Sequence, residues 1–372
     1  MQLSNEDNLR LNVLLAQDLK AVRIDESKMI VYALSSKGDA KIQLNPTCKD
    51  EKYIRLVKEL LSNKITGSPG GYPVYIKRWT RMGQDRQEES LAQLLLLGEP
   101  EAVVAVVHAP TLTPDIARHA WWAYPSSENA RRLLDKKEIA ESDLARELAE
   151  FLLEFLPFEV EHLDMIDSVR LCLQTDLLTE DEIADLWKRA KRKQSLYVGF
   201  LHSLPDALPE ALNPHMSYQK VGQKLSELEQ DGNIYAPLLL RYLSESGQVF
   251  LKTILRVFDK AASQDTIVSM FQALAAYNDS IPLAEVKQRD IKDAEQLAQV
   301  WLTSKDDEHL QACLNVCPEC RERFRAILVM AQMGEVTLFP IFGLTDALGS
   351  VMRKKLKPLT DPLQKYIGLL LE

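Results

Sequence analysis

From residue 84 to the end, prolines and glycines cut the chain into short segments with apolar residues at helical spacing, and this punctuation limits the fold more than any motif does. Between 86 and 371, about fifteen such segments of roughly 9–18 residues follow one another, joined by connections of the length found between antiparallel helices. Pro100, Pro114 and Pro362 sit where a first helical residue is expected, and Thr113-Pro114 and Asp361-Pro362 pair a capping side chain with that proline. These prolines read as helix starts. Thr179 and Glu182 have the spacing of a capping box, in which each side chain satisfies the other's free backbone N–H.

The first 83 residues have a different texture. Residues 5–17 are apolar at helical spacing, whereas AVRIDE, MIVYALS and AKIQL alternate or carry β-branched runs, with Ser36-Lys37-Gly38-Asp39 as a hairpin turn. A helix at 50–63 and a strand at PVYIKRW complete a small α+β module over 1–83. The fold class is therefore mainly α: this module, then an irregular, solenoid-like helical array over 84–372. GEPEAVVAVVHAPTLTPDIARHAW and YPSSENARRLLDKKEIAESDLARELAEF echo each other as stacked helix pairs would, with Thr113 and Ser142 as caps, and the echo fades past 160.

Composition narrows the partners. Of 372 residues, 46% are hydrophobic, enough for a substantial core, while 45 Lys and Arg against 54 Asp and Glu leave a net charge of −9. That balance disfavours nucleic acid as a general partner. Five cysteines, an odd number without a framework spacing, fit a reducing cytoplasm, and MQLSNEDNLRL lacks the basic and apolar regions of a signal peptide. Apolar runs such as LAQLLLLG fall far short of the ~18–20 residues that span a bilayer, so a soluble, cytoplasmic protein with no membrane contact is expected.

The stretch with most chemical content is ACLNVCPECRERF, whose C-x3-C-x2-C spacing also holds iron–sulfur clusters in radical enzymes that use S-adenosylmethionine. In those enzymes the triad follows an early barrel strand. Here it straddles a junction between two late helices, one begun by Asp306 or Asp307 and the next opened by Pro318, and the placement argues against that chemistry. His309, Cys313, Cys317 and Cys320 could instead converge as a Cys3His zinc site, or three thiolates could hold a cluster. Cys317 and Cys320 could also form a redox pair, since a helix N-terminus favours thiolate at Cys317, although Glu319 opposes it. The leading reading is buried thiols that pack, with no cofactor.

Elsewhere the spacing assigns surfaces. PVYIKRWTR places Tyr75, Lys77, Trp79 and Arg81 on one strand face, a basic and aromatic surface of the sort that stacks on nucleotides or meets a protein, and the acidic chain favours the protein partner. The basic runs at 188–193 and 352–357 end helices, where cations meet the carbonyl end of the dipole and are ordinarily solvated. Of Trp121 and Trp122, adjacent on one helix, one is expected in the core and the other at a neighbour. The six histidines are scattered, and no HExxH, GxSxG, GKS/T or GxGxxG pattern gives them work. No catalytic residues are expected.

LRLNVLLAQ with AVRIDES, GSPGGYPVYIKRWTRMGQ, LLLLGEPEAVVAVVHAP, and CPECRERFRAILVMAQMGEV running into FGLTDALGSVMRKKLKPLT resemble the DsrS family, encoded with the dissimilatory sulfite reductase system of sulfur-oxidising bacteria. The likeness covers most of the chain and is one of texture, with no sharply defined motif. It implies a cytoplasmic, non-enzymatic accessory of sulfur oxidation that contacts a protein of that system and acts in regulation or assembly. It carries over no catalytic residues.

Overall fold

The computed structural model describes residues 2–68, 70–71, 88–174, 176–282 and 290–371. They fall into two compact units, Met1–Phe155 and Leu156–Glu372. The boundary expected at 83/84 lies outside the described residues. Within the first unit, the N-terminal sheet and the helices up to residue 155 pack together.

That unit opens with α1 (Asn5–Leu15), capped by the Ser4 hydroxyl, which accepts the Asp7 N–H at 3.1 Å. Three strands follow, β1 (Leu19–Asp25), β2 (Ile30–Ser35) and β3 (Gly38–Gln43), paired antiparallel in chain order. The β2–β3 turn needs Gly38, whose φ of +113° few side chains tolerate. Alternation puts Val22, Val31 and Ala33 on one face, where they meet Leu11 and Leu14 of α1 and Tyr53, Val57 and Leu61 of α2 (Asp50–Thr66). Buried Asp7 ties the layers together by accepting the Tyr53 hydroxyl at 2.5 Å and the Asn45 N–H at 2.8 Å.

Among the described residues, six further helices follow in this unit: α3 (Glu88–Leu94), α4 (Pro100–Val107), α5 (Pro114–Ala123), α6 (Ser127–Leu134), α7 (Lys137–Ala140) and α8 (Leu144–Phe155). Pro100 and Pro114 open α4 and α5 as expected, and Thr113 caps α5. Ser142 does not cap α8: its hydroxyl turns back and donates to the Ile139 carbonyl at 2.7 Å. The sheet edge is joined to the helices, because the Val22 N–H donates to the Leu95 carbonyl and Arg23 lies 4.8 Å from the rings of both Tyr32 and Trp122. Trp121 is the core tryptophan, its indole N–H donating to Glu147 and its ring edge-on to Phe151.

The second unit begins with a 3-10 turn, Leu156–Phe158, then α9 (His162–Cys172), α10 (Glu180–Ala190), α11 (Gln194–Ser203), α12 (Tyr218–Gln230), α13 (Tyr235–Leu243), α14 (Glu245–Lys260) and α15 (Gln264–Tyr277). After it come α16 (Ile291–Thr303), α17 (Glu308–Val316), the turn Pro318–Cys320, α18 (Arg321–Ala331), α19 (Glu335–Phe342) and α20 (Gly349–Leu370). Thr179 and Glu182 form the full capping box at α10. Helix α11 is central: Gln194 through Leu201 are all buried, and it packs on α9, α10, α14 and α15. Its approach to α9 depends on Gly199, where an added Cβ would lie 2.6 Å from that of Val169.

Packing here goes beyond stacking of sequence neighbours, since α9 also touches α15 and α20 returns onto α14 and α18. Stacked repeats touch only their neighbours and need a periodic sequence. A helical array that closes on itself does not, which accounts for an echo that fades past 160.

Pro362 does not start a helix. Both Pro358 and Pro362 lie inside α20, although an interior proline loses a hydrogen bond and costs about 3 kcal/mol. Met352, Leu356, Leu359, Leu363, Ile367 and Leu370 form one buried stripe at helical spacing, and burying it carries the helix through both prolines. Among the described residues no single helix is long and apolar enough to cross a membrane. Pro318–Ala331 with Glu335–Phe342 has the length and composition, but the two bend by 66° and the first lies in the core of its unit.

Candidate functional site: buried thiols and an ordered apolar surface

The cysteine cluster is built as its caps predict. Asp307 starts α17, its Oδ1 accepting the Leu310 N–H at 3.0 Å, and places Leu310, Cys313 and Leu314 on the buried face. Cys317 ends that helix, its N–H donating to the Cys313 carbonyl at 2.8 Å, and Pro318 opens the short turn that leads into α18. Cys313, Cys317 and Cys320 are each 0% exposed, and the sulfurs of Cys317 and Cys320 lie 2.7 Å apart.

Cys313 has a separate partner. Its S–H donates to Asn233 Oδ1 at 3.3 Å, and the same oxygen accepts the Tyr235 and Ala236 N–H groups at 2.9 and 3.1 Å, capping α13. Asn233 Nδ2 donates to the His309 carbonyl at 2.7 Å. His309 thus joins this network by its backbone, while the residue itself is exposed. The Cys3His set is not assembled, and among the described residues no group of three or more His, Cys, Asp or Glu is placed to hold a metal.

Electrostatics agree with geometry. Burial pushes the thiols of Cys313 and Cys317 up to about 12, Cys317 further through its contact with Cys320. Thiolate, the form that ligates metals and attacks disulfides, is therefore suppressed at neutral pH. The helix-dipole help expected at Cys317 does not prevail, because this residue also caps the negative, carbonyl end of α17. Glu319 adds a small upward push, as its charge predicts. It points outward to Lys224 Nζ at 2.5 Å, which holds its carboxyl at about 2.

No family model, curated protein or solved structure matches this chain.

Tyr75, Lys77, Trp79 and Arg81 lie outside the described residues. His108 approaches Glu128 at 3.9 Å, and burial lowers the pKa of His119. One polar constellation had no sequence signal, since its members come from three helices. His162 Nδ1 lies 2.6 Å from Ser195 Oγ, which is 3.1 Å from Thr266 Oγ1, itself 2.9 Å from Ser263 Oγ. Ser195 is buried and its hydroxyl is shared between His162 and Thr266, so the chain acts as a strut between α9, α11 and α15. A nucleophile would need access to substrate.

Large apolar side chains remain outward in the stretch 339–351: Phe339 (54% exposed), Leu344 (85%), Leu348 (63%) and Val351 (57%). The backbone there is held in place. Gln264 Nε2 donates to the Thr345 carbonyl at 2.7 Å, Lys355 Nζ to the Thr345 hydroxyl at 2.6 Å, and the Gly349 N–H to the Ala262 carbonyl at 2.9 Å. Clustered exposed apolar side chains mark contact surfaces.

Proposed function

We propose that this chain is a soluble, cytoplasmic, non-enzymatic accessory protein that binds another protein through the surface at 339–351. The observation that carries this reading is that Leu344, Leu348 and Val351 point outward from a stretch whose backbone accepts from Gln264 at Thr345 and Ala347 and donates from Gly349 to Ala262. An ordered apolar surface loses little conformational entropy on docking. In keeping with that, Cys313, Cys317 and Cys320 are buried, burial raises the thiol pKa of Cys313 and Cys317, and the Ser195 hydroxyl is buried. The setting follows from the resemblance to the DsrS family. The partner is then a protein of the dissimilatory sulfur-oxidation machinery, whose production or assembly this chain affects.

The close Cys317–Cys320 contact favours a second reading, a redox thiol pair, which the raised Cys317 pKa opposes. Co-purification from a sulfur-oxidising extract, with proteins quantified by mass spectrometry, separates the two. The first reading expects a sulfur-oxidation protein enriched by the native chain and lost with Leu344→Ser Leu348→Ser Val351→Ser. Enrichment that persists in this variant but vanishes in Cys317→Ser Cys320→Ser would overturn it.

A further inference from the structure

The basic run at 188–193 does more than end a helix. Lys188 and Arg189 close α10, Arg192 and Lys193 follow, and all four line a cavity of about 410 Å³ with Leu156, Pro157 and Leu196. That volume lies in the range of small-molecule sites, ~300–1,000 Å³. Lys191 belongs elsewhere: its charge acts on Glu210, the partner of Arg256. The run therefore splits by side, and four of its cations share one concavity.

Lys188 and Arg189 meet the carbonyl end of α10, but among the described residues only one of the four cations has a carboxylate partner. Arg189 pairs with Asp185 at 3.0 Å, but among the described residues no carboxylate lies within ion-pair distance of Lys188, Arg192 or Lys193. Lys193 also occupies the N-cap of α11 without a side-chain capping bond, so a cation stands at the positive end of a helix. Three unpaired cations and a helix end of the same sign repel one another, and an anion with more than one charge relieves that repulsion. A phosphate monoester, at about −1.5 to −2 near pH 7, supplies it where a single carboxylate does not.

The apolar part of the lining, Leu156, Pro157 and Leu196, fits an organic body better than a bare ion. Size favours a small ligand over a long polyanion. The sequence flanking the lining is acidic, with Glu159 and Glu161 after Pro157 and Glu180, Asp181 and Glu182 opening α10, and the whole chain carries −9. A duplex or a membrane surface would meet those acids.

We propose that this cavity binds a small soluble phosphate ester, its phosphate held by Lys188, Arg192 and Lys193 and its organic part resting on Leu156, Pro157 and Leu196. The site is independent of the 339–351 surface. Calorimetric titration of the full chain with phenyl phosphate, inorganic phosphate and benzoate tests it, alongside co-sedimentation with phosphatidic acid vesicles and a short duplex DNA.

Phenyl phosphate is expected to bind about tenfold or more tightly than either small anion, each of which lacks one half of the recognition. Arg192→Ala Lys193→Ala should weaken it by about tenfold or more, and both residues are exposed, so an unchanged circular dichroism spectrum certifies the fold. The proposal is overturned by equal affinity for phenyl phosphate and inorganic phosphate, by an unaffected double variant, or by binding confined to vesicles or DNA.

Discussion

Replacing Asn233 with alanine tests whether the cysteine junction is structural. Asn233 is almost fully buried, and its Oδ1 accepts two N–H groups of the first turn of α13 and the Cys313 S–H, while its Nδ2 reaches the His309 carbonyl on α17. Losing a capping side chain costs up to about 2 kcal/mol when the freed N–H groups are buried, as those of Tyr235 and Ala236 are. The bond to His309 adds about 1 kcal/mol, because that carbonyl is helical and the side-chain donor is its extra partner. The sum is about 3 kcal/mol, or about 6–12 °C in Tm for a unit of this size. Urea titration followed by circular dichroism measures it, and alkylation with mass-spectrometric mapping should find Cys313 reacting faster as the junction opens. A loss below about 1 kcal/mol with Cys313 still protected would refute the claim that Asn233 ties α13 to the thiols.

Other consequences follow from particular contacts. In Lys224→Met, the Glu319 carboxyl should move from about 2 toward the ordinary 4.5, seen by NMR titration; an unmoved titration would mean that Lys224 does not hold it. Its folded pKa is depressed, so the stabilisation from the pair is present above about 4.5 and lost as pH falls through about 2. Gly199→Ala should destabilise by about 1–3 kcal/mol in urea despite alanine's helical preference, because the new methyl meets Val169 and the Ile166 carbonyl; a more stable variant would show that α9 and α11 are not in contact there. At neutral pH, iodoacetamide should label half-buried Cys48 in the folded protein and leave Cys313, Cys317 and Cys320 until denaturant is added; prompt labelling of Cys317 would contradict its raised pKa.

Features set by residues close in sequence were legible. The alternation of 21–35 needs only a covered sheet face, and the caps at Thr113, Thr179 and Asp307 act within three residues, so both are written locally. Pro362 misled because its neighbourhood is that of a helix start, whereas the stripe from Met352 to Leu370 buried by α14 and α18 decides the outcome. The cysteine spacing gave the junction and the reading of buried thiols, but not the distant partner Asn233, which comes from another helix start. The same limit hid the cavity at 188–193. The run itself is visible, but the concavity exists only because Leu156 and Pro157 fold against it.

The central claim is that the thiols pack and perform no chemistry, which leaves surfaces to do the work. Elemental analysis of anaerobically purified protein, with thiols counted before and after denaturation, tests it most directly. The account predicts zinc and iron far below one equivalent per chain, and four cysteines, Cys172, Cys313, Cys317 and Cys320, that become countable only on unfolding. Stoichiometric metal that disappears in Cys317→Ser Cys320→Ser would contradict it.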